Sequence, residues 1–284
     1  MILLFITNIP KFVYSQNPFE PYFGIGLSAG VTNYVGDLNP TMNYKFSQFA
    51  WGGHFSLVFS KHLSARLTFL DGEVTADDLK SRDIVANARG LNFRSSITEV
   101  GGQVVYSLFG KQGGFLARAN YSPYFFAGLA IFTFNPQANI NGNWVDLQPL
   151  GTEGQQLHNS NYPAAYSLTA ISIPFGIGFD YRLLTNIDVG VEFGYRKTFT
   201  SYLDDVSGNY PDEVLLRTNE GNLAADLSDR TFNHSARSGT PRGDGANDSY
   251  FYTNFHITYY FYWTIFGGRF SGSKHSGDCW AFPQ

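Results

Sequence analysis

The sequence predicts an all-β protein, an eight-stranded antiparallel up-and-down transmembrane β-barrel with long extracellular loops. Three observations predict it. Eight stretches alternate apolar with small or polar residues at a period of two, the spacing of a strand. Short turns and long loops alternate between them, as in outer-membrane barrels. Of 284 residues, 17% are aromatic and only 15% charged. A soluble domain carries about a quarter charged residues, so too few charges are left to keep the apolar faces in water.

The first predicted strand covers residues 21–31, with Phe23, Ile25, Leu27, Ala29 and Val31 on one face and glycines and Ser28 on the other. After a loop with turn chemistry at Gly36-Asp37 and Asn39-Pro40, strand two covers 49–59. The turn Ser60-Lys61-His62 leads into strand three, 63–71, where Leu63, Ala65, Leu67 and Phe69 oppose Ser64, Arg66 and Thr68. Residues 72–90 are polar and read as a second long loop. Strand four covers 93–109, with Val100, Gly102, Val104, Tyr106 and Leu108 opposite Glu99, Gly101, Gln103 and Ser107. Residues 110–120 form a turn, strand five covers 121–134, and a third long loop covers 135–165.

Strands six and seven are a hairpin within 166–199. Ile171, Ile173, Phe175, Ile177, Phe179 and Tyr181 alternate with Ser172, Pro174, Gly176, Gly178 and Asp180. After the turn 182–186, Ile187, Val189, Val191, Phe193 and Tyr195 alternate with Asp188, Gly190, Glu192, Gly194 and Arg196. The fourth and longest loop, 200–248, is rich in Asp, Asn, Gly and Arg. Strand eight, 249–263, sets Phe251, Phe255, Ile257, Tyr259, Phe261 and Trp263 against Tyr252, Asn254, His256 and Thr258.

A bilayer satisfies no backbone group, so such a sheet must close. The runner-up is a soluble eight-stranded barrel of lipocalin type, with the apolar face lining a cavity. The many glycines on the polar face, which suit a crowded narrow lumen, and the aromatic apolar face favour the membrane barrel, in which the chain meets outer-membrane lipid. Residues 1–15 read as a signal peptide: residues 1–9 are apolar, and Val13-Tyr14-Ser15 precedes a cleavage point at Gln16. The barrel then spans 16–263 and a C-terminal tail 264–284. A formal charge of −4 without any basic run excludes a nucleic-acid partner. The single Cys279 excludes a disulfide framework. No stretch reaches the roughly 18 apolar residues of a spanning helix.

The inward face carries Arg66, Glu99, Gln103, Asp180, Asp188, Glu192, Arg196 and His256, with His54 and Asn254. Unpaired ions in a narrow lumen are very costly, and eight strands leave an interior just filled by side chains. A plug of paired ions is therefore expected, with a proton or ion path as the alternative. The histidines lack metal-ligand spacing, and no nucleophile–base–orienter set stands out, so neither a cofactor nor an enzyme is expected. Asp204, Asp205 and Asp212 could offer oxygens to Ca²⁺, but the loop pattern for that ion is missing. Loop four is expected to start ordered, with Asp204-Asp205 paired to Arg196 or Lys197, and to become flexible over 237–247. The short turns carry Lys61, His62, Lys111, Arg118 and Arg182 and no carboxylate. They form a basic periplasmic rim for an acidic partner or for lipid phosphates.

Six separated segments carry a resemblance: NYVGDLNP (33–40), LNFRSS (91–96), SPYFFAGLAIFTFNP (122–136), DLQPLGTEGQ (146–155), IPFGIGFDYRL (173–183) and GYRKTFTSYLDDVSGNYPD (194–212). Together they resemble the PorG-like outer-membrane barrel family of Bacteroidetes. The resemblance implies a component of the type IX secretion and gliding apparatus. It also implies a periplasmic ring of the PorK lipoprotein and PorN as partner. A surface adhesion or ligand-binding barrel of OmpA/OmpX-like type is the alternative role, with loops three and four meeting the ligand.

Overall fold

The computed structural model describes residues 19–262, except 82, 111–115, 117, 158 and 159. The signal peptide, the tail and Lys111 lie outside the described residues. Eight long strands form the barrel: β1 (Tyr22–Val35), β2 (Gln48–Val58), β3 (Leu63–Asp77), β4 (Asn92–Ser107), β5 (Tyr121–Ile140), β7 (Thr169–Leu184), β8 (Ile187–Thr198) and β9 (Ser249–Phe261). Each pairs antiparallel with its neighbours, and β1 pairs with β9, so the sheet closes and no long edge is left. A short strand β6 (Asn143–Asp146) adds to the outer end of β5.

All eight predicted strands are found, but three run further than their sequence suggests. β1 continues to Val35, β3 to Asp77 and β5 to Ile140. The cause is a reversal of polarity along the strand. On β4 the outward positions Val100, Val104 and Tyr106 are apolar and exposed, whereas Arg94, Ser96 and Thr98 on the same face are polar. The inward face does the opposite: Glu99, Gln103 and Ser107 in one half, Phe93 and Ile97 in the other.

The switch follows one register line across four neighbouring strands. Phe69, Val100, Ile131 and Ile171 are register partners in sequence across β3, β4, β5 and β7. One step further out stand Asp71, Thr98, Thr133 and Thr169, again register partners. Below this seam the wall is apolar outside and polar inside, as lipid demands. Above it these four strands are polar outside and apolar inside, as water demands. On β7 the apolar run from Ile171 to Tyr181 takes ten residue steps, about 34 Å along the strand and about 25 Å along the membrane normal at the usual tilt. Tyr106, Tyr121, Tyr181 and Tyr259 gird its periplasmic end; Trp51, Tyr195 and Phe251 stand towards the outer one. The molecule is an outer-membrane barrel whose wall projects beyond the bilayer.

The main apolar core therefore sits in the projecting half. It joins Tyr34, Leu38, Phe46, Val74, Phe93, Ile97, Phe132, Phe134, Leu203, Val206 and Tyr250. Loop residues fold into the mouth and close this core. Loop two holds a short helix α1 (Ile84–Arg89), and loop four holds α2 (Glu213–Asn219) and α3 (Asn222–Ser228). These helices escape a period-two reading because each is about two turns long. The β7–β8 turn is Thr185-Asn186, tighter than the predicted 182–186, with a register shift at Arg182/Leu184.

Candidate functional site

Inside the membrane half, ion pairs and hydroxyls fill the lumen. Glu192 on β8 accepts a hydrogen bond from Arg66 on β3 at 2.6 Å and from the Tyr124 hydroxyl on β5 at 2.9 Å. One level outward, Glu99 accepts from Tyr250 at 2.6 Å and from Ser172 at 3.1 Å, with the Arg196 guanidinium 3.6 Å away. Asp180 meets His256 Nε2 at 2.8 Å, and Thr258 meets His54 at 3.0 Å. Gln103 is buried among them. Gly178 makes room for this layer: a Cβ there would stand 2.1 Å from the Tyr124 ring.

The periplasmic mouth is sealed by a further pair. Arg118 donates to Asp188 at 2.6 Å and lies over the Tyr260 ring at 4.3 Å. Among the lumen residues lies a cavity of about 20 Å³, whose lining includes Arg66, Glu99, Gln103, Glu192 and Arg196. That cavity has room for one water.

Six of the eight predicted lumen residues line this cavity, and Asp180 joins them through His256. The eighth, Asp188, sits apart at the mouth, and its partner is a correction. Arg118 was expected on the periplasmic rim, but it is buried, paired to Asp188 and packed against the Tyr260 ring. Arg182 is also occupied, donating to the carbonyls of Arg118 and Leu116, both at 3.0 Å. His62 sets Nδ1 2.8 Å from the Ser107 carbonyl and stacks on Tyr106. Lys61 remains exposed on its turn, and Glu20 stands at the same end, 3.1 Å from the Tyr262 hydroxyl. The rim is therefore less basic and less free than the turns alone suggest.

The outer mouth is closed by a second buried polar centre. Arg242 donates to Glu153 at 3.2 Å and to the Ser228 carbonyl at 3.1 Å, and lies 3.6 Å from an Asp205 oxygen. Glu153 also accepts the Ser207 and Gly208 amides, each at 2.9 Å. Asp205 accepts from Thr152 and, at 2.6 Å, from Tyr166. Arg89 grips Asp78 through two nitrogens at 2.8 and 3.0 Å and donates to the Asp37 and Arg242 carbonyls. One guanidinium thus ties loop three to loop four, and the other ties loop two to loops one and four.

This arrangement overturns two expectations for loop four. Asp204 and Asp205 face Tyr34 and Arg242, not Arg196 or Lys197, since Arg196 points into the lumen and Lys197 donates to the Asn247 carbonyl at 2.7 Å. The stretch 237–247, expected to be flexible, delivers the buried Arg242 and bridges Asn209 through Pro241. Burial raises the Asp205 carboxyl to about 6 even with Arg242 beside it, and raises Asp37 to about 6.

A family model described as a domain of unknown function (DUF6089) matches residues 4–229. The chain belongs to this family. Among curated proteins none matches it in sequence. Several solved structures are similar to this DUF6089 barrel. Neisserial surface protein A shares 10% identity over 84% of this chain and 96% of its own, at a TM-score of 0.41. A major outer-membrane protein from Thermus thermophilus shares 12% over 85% and 99%, at 0.40. The attachment invasion locus protein Ail of Yersinia pestis, solved with the heparin analogue sucrose octasulfate, shares 10% over 85% and 97%, at 0.38. The fold of the DUF6089 chain rests on its own strand register, not on these likenesses.

Sequence reasoning missed Arg242, hidden in the Gly- and Ser-rich run SARSGTPRGDG. The signal available was indirect. Glu153 and Asp205 lie among apolar and turn residues that fold inward, and buried carboxylates call for a cation from elsewhere in the chain.

Proposed function

We propose that this barrel is a non-enzymatic structural component of a type IX secretion apparatus, anchoring the machinery to the outer membrane through a periplasmic ring of PorK/PorN-like lipoprotein. The observation that carries this reading is the blocked lumen: with ion pairs from Arg118–Asp188 to Glu99–Arg196, the wall serves as a fixed body rather than a path. The PorG-like resemblance supports the choice of machine. Four of its six segments supply the closing centre of the outer mouth, through Tyr34, Leu91, Glu153 and Asp205. The docking surface on this reading is the periplasmic end around Lys61 and Lys111, with Arg118 excluded by its pairing to Asp188.

Co-purification after mild detergent extraction tests it. Ring lipoproteins should copurify with the native chain and be lost in Lys61→Glu/Lys111→Glu, with heat-modifiable migration of the barrel unchanged. Absence of ring proteins from the native extract sinks the reading.

One observation favours a second role, binding at the cell surface. A cleft of about 630 Å³ opens between loops one, two and four, lined by residues including Asn39, Asn43, Lys45, Lys80 and Val85. Such a volume suits a small ligand. Recovery of an extracellular component, with no ring protein, would favour it. The cleft uses loops one, two and four, where the sequence had pointed to loops three and four.

A further inference from the structure

At the outer end of β1 the Tyr34 hydroxyl contacts two carboxylates at once. It lies 2.6 Å from Asp204 Oδ2 and 2.7 Å from Asp248 Oδ1. All three residues are buried. The other oxygen of each acid is occupied by a backbone amide: Val206 N–H donates to Asp204 Oδ1 and Leu203 N–H to Asp248 Oδ2, both at 2.9 Å.

A tyrosine hydroxyl carries one proton. It can donate to one of these carboxylates, which leaves the second short oxygen–oxygen contact without a hydrogen between its atoms. Two ionised carboxylates around one phenol oxygen would also repel each other strongly in a buried site. The surrounding charges do not relieve this. Asp37 from loop one and Asp244 from loop four add negative charge to Asp248, and Asp37 adds it to Asp204. Arg89 faces Asp204 but spends its hydrogen bonds on Asp78 and on the carbonyls of Asp37 and Arg242. Arg242 spends its own on Glu153 and on the Ser228 and Asp205 carbonyls. Among the described residues no cation donates a hydrogen bond to either carboxylate.

We propose that Tyr34, Asp204 and Asp248 form a proton-held latch at the outer mouth: one carboxyl is kept as the acid and donates to the Tyr34 oxygen, while the Tyr34 proton goes to the other. Loss of the acid proton to water leaves two carboxylates competing for one donor. The start of loop four then parts from β1. Leu203 and Val206, which flank Asp204, are withdrawn from the upper core with it. Loop three follows, because Thr152 and Glu153 are bonded to Asp205 and Ser207.

Burial supports the same direction, raising the Asp248 carboxyl to about 8 and Asp204 well above its ordinary range. The closed latch binds a proton that the open one releases. Its contribution is therefore fully present below the ordinary carboxylate pKa and is lost as pH rises through about 8. A single such proton changes the open fraction by about tenfold per pH unit within that window.

The test uses the full chain folded in detergent. Proteinase K cleavage within residues 199–248 is mapped from pH 5.5 to 9, with rates normalised to an unstructured peptide in the same tube. Cleavage should rise about tenfold per unit between pH 6 and 8, while the barrel keeps its heat-modifiable migration. Asp248→Asn or Asp204→Asn supplies a donor that does not titrate, and should flatten the profile. Infrared difference spectra at pH 7 should show the C=O stretch of a buried carboxylic acid, absent from whichever single variant removes it. A flat native profile, a variant that rises like the native protein, or no acid band at pH 7 overturns the latch.

Discussion

Replacing Glu192 by alanine should destabilise the barrel and yet leave it closed. In the native protein one Glu192 oxygen accepts from Arg66 at 2.6 Å and from Tyr124 at 2.9 Å. Removing it strands a buried guanidinium, a change that costs about 3–5 kcal/mol. The orphaned Tyr124 hydroxyl pushes the loss towards the upper end of that range. At about 4 kcal/mol the unfolded fraction rises roughly a thousandfold. The space released joins a cavity of about 20 Å³ and admits a few waters at most. The Arg118–Asp188 pair below and Glu99 with Tyr250 above still close both ends. Urea titration of the heat-modifiable folded form measures the stability, and planar-bilayer recording measures the leak. The double change Arg66→Met/Glu192→Leu should recover much of the loss, since it removes both charges together. A native-like urea midpoint for Glu192→Ala, or a steady single-channel current, would refute the reasoning.

Arg242→Ala should leave Glu153 and Asp205 buried without their cation, and make loops three and four cleavable at neutral pH while the barrel migrates as folded; loops that stay resistant would mean that Arg242 is dispensable. Gly178→Ala should cut the folded yield sharply, because its methyl would sit 2.1 Å from the Tyr124 ring, which is buried and bonded to Glu192. Gly102→Ala, on the lipid face with nothing within 4 Å of its Cβ, is the matched control and should fold normally.

The membrane half was legible in the sequence because lipid imposes a uniform rule: apolar on one face, small or polar on the other. Ile171 to Tyr181 obeys it without exception, and the strand positions of Arg66, Glu99, Glu192 and Arg196 followed from parity alone. The projecting half was not legible for the same reason. Glu73, Val74, Thr75, Ala76 and Asp77 keep the period of two but invert its phase, so a strand leaving the membrane reads as a polar loop. The closing centre was less legible still. Arg242 and Arg89 work across long sequence separations, 89 residues for Arg242 to Glu153 and 153 for Arg89 to the Arg242 carbonyl. No local spacing encodes such contacts. Arg118 was misplaced because a cation in a short turn looks like rim until its partner, Asp188 on another strand, is seen beneath it.

The central claim is that the wall changes solvent along its length, with the bilayer ending between Ile131 and Thr133 on β5. Nitroxide labels placed singly at these two outward positions, in a chain with Cys279→Ser and reconstituted in vesicles, test it directly. The label at 131 should be relaxed by dissolved oxygen and shielded from a water-soluble nickel complex, and the label at 133 should show the reverse. Two positions that both report lipid, or both report water, would contradict the placement of the barrel in the membrane.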